Sequence, residues 1–104
     1  MDEPLAYLNG QFLPASSAAL SLTDAGFVLG AAVAEQVRTF GGKPFRLDDH
    51  LARLERSLDT TGVDPGMDRE EISRVAQELV FQNHRLLTPG DDLGLSIFVT
   101  PGPY

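Results

Sequence analysis

The side chains able to do chemistry are few, and five of them, Glu35, Arg38, Lys43, His50 and Arg53, fall within the single stretch from Asp24 to Leu54. A guanidinium stays charged at any working pH and can hold a phosphate through two parallel hydrogen bonds, so Arg53 can bind an anion. By helical position alone it reads better as a solvated arginine, like Arg56, Arg69 or Arg74. His50 could cap a helix, pack or titrate, and a structural role suits it best. Glu35 lies on the apolar side of a strand, where an ionised carboxylate requires hydrogen-bond partners, so it is expected to be buried and bonded within the domain. Arg38 either faces an anionic group of a ligand or pairs with an acidic neighbour. Lys43, the only lysine, sits in Gly41-Gly42-Lys43-Pro44 and reads as a solvated turn residue.

The elements that position these groups follow from residue periodicity. Val33, Glu35, Val37 and Thr39 alternate with Ala34, Gln36 and Arg38 at the two-residue period of a strand, which puts the valines toward helices and leaves the second set on a face open to a ligand. Phe40-Gly41-Gly42-Lys43-Pro44-Phe45 provides a tight reversal. Leu47, Leu51, Leu54 and Leu58 then recur at helical spacing, with Asp48 as the expected cap, Gly62 near the end and Pro65 beyond. His50, Arg53 and Ser57 form a polar stripe beside those leucines.

Elsewhere, Asn9-Gly10 between two short apolar runs predicts a hairpin, and Leu20-Ser21-Leu22 a short alternating segment after a small-residue loop. Asp68 to Glu71 resembles a capping box and opens a second amphipathic helix carrying Ile72, Val75, Ala76, Leu79 and Asn83. Leu95 to Val99 is strand-like, and Thr100-Pro101-Gly102-Pro103-Tyr104 reads as a linker. The economical solution is an α+β domain of two layers, an antiparallel sheet with two helices packed on one face.

The length of 104 residues allows one domain with a modest core. A net charge of −7 offers no electrostatic footprint for nucleic acid. With no cysteine there is neither a disulfide frame nor a thiolate metal site, and no metal ligand set is expected. No apolar run approaches a membrane span, and Met1-Asp2-Glu3-Pro4 is the opposite of a basic signal-peptide start, so a cytoplasmic location is expected.

Several pieces stand together in order: Asp24-x-Gly26-Phe27 leading into Leu29-Gly30, Val33-x-Glu35-x-x-Arg38-Thr39-Phe40, Gly42-x-Pro44-Phe45, and His50-Leu51-x-Arg53-Leu54-x-x-Ser57. This order resembles the class IV family of pyridoxal-phosphate enzymes, which includes branched-chain aminotransferases, D-amino-acid aminotransferases and aminodeoxychorismate lyase. The resemblance implies that residues 1–104 correspond to the N-terminal small domain of such an enzyme, that the cofactor lies between this domain and a larger one, and that the assembly is a homodimer. It implies further that Arg53 contacts the phosphate of pyridoxal 5′-phosphate and that the substrate pocket takes residues from Leu29, Ala34, Gln36 and Arg38. The family's Schiff-base lysine belongs to the large domain, so no catalytic residue is expected in this chain and the segment alone is expected to be inactive.

The implied activity is transfer of an amino group between an amino acid and a 2-oxo acid, as in branched-chain aminotransferases. Two alternatives stand beside it: a lyase of the aminodeoxychorismate type that releases pyruvate, and a non-catalytic interaction domain. Relatives usually carry aromatic groups at the places of Leu29 and Ala34, and many have Thr-Arg-Gly where this chain has Thr100-Pro101-Gly102. Specificity therefore does not carry over from the resemblance.

Overall fold

The computed structural model describes residues 3–104. Two reversals organise its strands, and both use the left-handed backbone that Asn and Gly tolerate. Asn9 (φ 49°) and Gly10 (φ 92°) close strand β1, Leu5–Leu8, on β2, Gln11–Pro14. The Tyr7 and Phe12 rings meet edge to face across this hairpin, with centroids 5.0 Å apart. Gly41 and Gly42 likewise fold β3, Val33–Phe40, onto the two-residue β4, Lys43–Pro44. Pro44 has no backbone N–H to offer, and the next bond across this pair comes from Phe45 N–H to Arg38 C=O at 2.7 Å.

The long pairing is between β3 and β5, Gly94–Val99, antiparallel from Val33 opposite Val99 to Arg38 opposite Gly94. Sheet order is β4-β3-β5, and β1 and β2 form a separate two-stranded sheet. The single sheet expected from the sequence is thus two antiparallel sheets. A helix side chain meets the backbone of β1: the Asn83 amide accepts from Leu5 N–H at 2.8 Å and donates to Leu5 C=O at 3.0 Å.

A short 3-10 turn, Ala15–Ser17, follows β2, and three α-helices complete the described residues: a single-turn α1, Ala25–Val28, and the longer α2, Leu47–Thr61, and α3, Arg69–His84. Leu47, Leu51, Leu54 and Leu58 of α2 are all buried and pack with Val37, Ala76, Val80 and Leu95 in one core. The capping box at Asp68 and Glu71 is present with both hydrogen bonds, and Gly62 ends α2 in the left-handed conformation. The start of α2 differs from expectation. Arg46, at φ 54°, takes the N-cap position, and Asp48 lies inside the first turn, where its charge complements the helix dipole without a capping bond.

Leu20 and Leu22 form no strand. They are exposed beside a turn in which Asp24 N–H donates to Ser21 C=O, and no neighbouring strand is there to pair with them. Asp24 instead caps α1 through Gly26 N–H. The segment after β5 is no free linker: Ala25 N–H bonds to Gly102 C=O at 2.8 Å, Tyr104 N–H to Thr23 C=O at 2.7 Å, and the Thr100 hydroxyl donates to Asp24 at 3.0 Å.

Candidate functional site

The alternation of β3 sends Val33, Glu35, Val37 and Thr39 toward α2, and the buried members of that set are Glu35, Val37 and Thr39. Thr39 satisfies its hydroxyl by donating to Leu93 C=O at 2.6 Å while accepting from Leu93 N–H at 3.2 Å. Glu35 has no comparable backbone partner. What it meets is the polar stripe of α2, where a three-residue offset sets His50 and Arg53 side by side along the leucine seam.

Arg53 grips the carboxylate through two nitrogens, Nε to Oε2 at 2.9 Å and Nη2 to Oε1 at 2.8 Å. His50 Nδ1 reaches the same Oε1 at 2.8 Å. The three groups grade from inside to outside, with side-chain exposures of 4% for Glu35, 22% for His50 and 61% for Arg53. Charged hydrogen bonds from Arg53, reinforced by His50 and opposed by burial, lower the Glu35 pKa from 4.5 to about 2. Because an ionised carboxylate only accepts, His50 carries its proton on Nδ1. The same pairing raises the pKa of Arg53.

Arg53 still has donors to spare. Among the described residues nothing takes a hydrogen bond from its Nη1, and this end of the guanidinium is turned outward. On β3 itself, β5 pairs from Val33 to Arg38, while on the other edge β4 and Phe45 N–H reach only Arg38 to Phe40. The exposed Arg53 side chain, with Nη1 unengaged among the described residues, can therefore donate to an anion such as phosphate.

The residues expected on the substrate side lie across the sheet. Ala34, Gln36 and Arg38 all face away from the helices, and Leu29 is exposed at the end of α1. The structure does not bring this set onto the face that holds Arg53. The two meet only around the strand itself, where Ala34 and Glu35 are successive residues. Arg38 has no acidic partner among the described residues, and Gly94 lies opposite it on β5, which leaves its charge free for a ligand. Gln36 accepts a hydrogen bond from Ser96 at 2.7 Å.

Sequence reasoning missed two neighbours on this face. Phe98 stands opposite Ala34 and is largely exposed, and Ser96 stands opposite Gln36. The alternation within Leu95 to Val99 carried the signal, but only the pairing register assigns those positions to partners on β3. Lys43 is exposed in β4, and no cluster of His, Asp or Glu that could hold a metal occurs among the described residues.

Residues 32–103 match the family model of amino-transferase class IV. Among curated relatives, the D-alanine aminotransferase of Bacillus licheniformis is 35% identical over 94 residues, covering 90% of this chain and 31% of that protein. The D-alanine aminotransferase of Staphylococcus aureus (strain N315) is 35% identical over 77 residues, 74% of this chain and 27% of its own length. The aminodeoxychorismate lyase of Bacillus subtilis (strain 168) is also 35% identical, over 79 residues, 76% of this chain and 27% of the lyase.

Among solved structures, a T.th. branched-chain amino acid aminotransferase in complex with N-(5'-phosphopyridoxyl)-L-glutamate superposes with a TM-score of 0.71 at 26% identity, over 81% of this chain and 30% of that one. The branched-chain aminotransferase of Thermoproteus uzoniensis with norvaline shares the fold at a TM-score of 0.75 and 23% identity, over 95% of this chain and 33% of its own. The chain thus spans about a third or less of the length of each of these proteins.

Proposed function

The chain belongs to the class IV aminotransferase family, and on that footing we propose that it is the N-terminal small domain of a pyridoxal-phosphate enzyme that moves an amino group between an amino acid and a 2-oxo acid. The observation that carries this reading is the Arg53 guanidinium, anchored through Nε and Nη2 on Glu35 while the side chain stays largely exposed with Nη1 unengaged among the described residues. The anchored fork suits a phosphate, the one strongly anionic handle of the cofactor. When bound, the cofactor supplies the electron sink that lets an amino acid lose its α-proton. A lysine that moves this proton belongs to the larger domain, as does the partner of the pyridine nitrogen.

This chain's own residues bind and orient. Arg53 fixes the phosphate end, while the face bearing Leu29, Ala34, Gln36 and Arg38 closes the substrate side. Arg38, with no acidic neighbour engaging it, suits a carboxylate of the substrate. A cytoplasmic homodimer is part of the same proposal, supported by the family likeness alone. No helix among the described residues is long and apolar enough to cross a membrane.

A second reading has its own support. Leu29 and Ala34 bring no aromatic ring at the two positions where relatives carry one, although Phe98 stands opposite Ala34, and the identity with the Bacillus subtilis lyase, 35%, equals that with the Staphylococcus aureus D-alanine aminotransferase. Smaller side chains at these two positions suit a bulkier substrate such as aminodeoxychorismate, with release of pyruvate. Assay of the full-length enzyme with a panel of amino acids and with aminodeoxychorismate separates the two outcomes.

The phosphate role is tested by Arg53→Ala in the full-length enzyme. Cofactor binding should weaken by about 1.5–3 kcal/mol, the worth of a hydrogen bond to a charged group. An unchanged affinity would count against the assignment.

A further inference from the structure

We propose that Glu35 is a positioning residue, whose buried carboxylate locks the Arg53 guanidinium in one orientation so that Nη1 is presented to the cofactor phosphate. This rests on the phosphate reading of Arg53 and adds to it the residue that makes the site rigid.

Packing alone does not account for a carboxylate here. Its neighbours along the same face are Val33 and Val37, and a third apolar side chain would continue the seam against α2 without a buried charge to satisfy. Nor is the buried pair a strong argument for stability by itself, since it satisfies a charge that an apolar residue would not have brought inside. What the arrangement does achieve is geometric. A free arginine has many rotamers, and ordering it on ligand binding costs conformational entropy.

Two hydrogen bonds to the two oxygens of one carboxylate fix the plane of the guanidinium, and His50 fixes the carboxylate in turn from Nδ1 to Oε1 at 2.8 Å. The Nη1 edge is then the free end of a held fork. The pair Glu35–Arg53 is close to neutral as a unit, so the gain comes from direction and not from net charge. A lysine could not do the same, having a single nitrogen to share between Glu35 and a ligand.

The test compares pyridoxal 5′-phosphate with pyridoxal, which lacks the phosphate, by titrating both into the full-length enzyme and its Arg53→Ala, Glu35→Gln, Arg53→Lys and double Glu35→Gln, Arg53→Ala variants. The ratio of the two affinities reads the phosphate site alone, and a merely structural role for Glu35 would not move it. Arg53→Ala should lower the preference for the phosphorylated form by about 10- to 150-fold, as for loss of a charged hydrogen bond, and Glu35→Gln by about tenfold, as for loss of its orientation. The double variant should lose no more than Arg53→Ala alone, with pyridoxal affinity unchanged.

If Glu35→Gln keeps the full preference while Arg53→Ala loses it, the positioning role is refuted and the phosphate role of Arg53 stands. If Arg53→Ala keeps it too, both fall. Arg53→Lys, which leaves Glu35 in place, provides the same decision should Glu35→Gln fold poorly: loss of the preference supports the held fork, and retention overturns it.

Discussion

Gly26 faces Thr100 so closely that a Cβ built on the glycine would overlap the threonine methyl and lie 2.9 Å from Asp24 Oδ1. Glycine is required here for space, because the segment after β5 is drawn against α1 by the bonds from Ala25 and Tyr104. Gly26→Ala should destabilise the domain by about 1–3 kcal/mol, the usual cost of overpacking. Thr100→Ser removes the methyl and should restore part of the loss, as read by denaturant unfolding of the single and double variants. Equal stability of Gly26→Ala and the parent would show that the two segments are not held together.

Acid stability should carry the signature of Glu35. Its pKa lies lower in the folded state than in the unfolded chain, so as pH falls the unfolded state takes up the proton first. The contribution of Glu35 is complete above about pH 4.5 and is lost progressively toward about pH 2. The informative quantity is the difference between the parent and Glu35→Gln. The gap between their unfolding midpoints should narrow across that range, and a gap independent of pH would mean that Glu35 is not ionised and paired.

Lys43 offers a negative control. It is exposed beyond the Gly41-Gly42 reversal, far in role from the lysine that the chemistry needs. Lys43→Ala in the full-length enzyme should leave kcat and KM as they were. A variant without turnover would place the essential amine inside this domain after all.

Ala34→Phe adds an aromatic ring on the open face, opposite Phe98. Because the position is exposed, stability should stay within about 0.5 kcal/mol of the parent. The order of kcat/KM across a panel of amino acids should change in favour of smaller side chains. An unaltered order would remove Ala34 from the substrate pocket.

How legible the site was depended on the range of the interactions. Local signals were read well: the leucine seam of α2, the capping box at Asp68 and Glu71, and the two reversals at Asn9-Gly10 and Gly41-Gly42 all depend on residues a few positions apart. The burial of Glu35 followed from period two alone. That its partners would be both His50 and Arg53 did not, since the bond joins a strand to a helix across a turn, and nothing in either segment fixes their register.

Other misses have similar causes. Arg46 adopts a left-handed backbone that its residue type does not announce, so Asp48 looked like the better cap. The separation of β1 and β2 from the main sheet involves one amide, Asn83, a long way along the chain from the Leu5 it binds. Phe98 and Ser96 became visible only once β5 was laid against β3.

The strict division of labour along β3 has an evolutionary consequence. Odd positions are committed to the interior and even ones to the open side, so substitutions at Ala34, Gln36 and Arg38 need not disturb folding. If those residues meet the substrate as proposed, lineages could drift apart in chemistry there while Glu35, Val37 and Thr39 keep their packing. Such a scaffold tolerates divergence between a transferase and a lyase without being rebuilt.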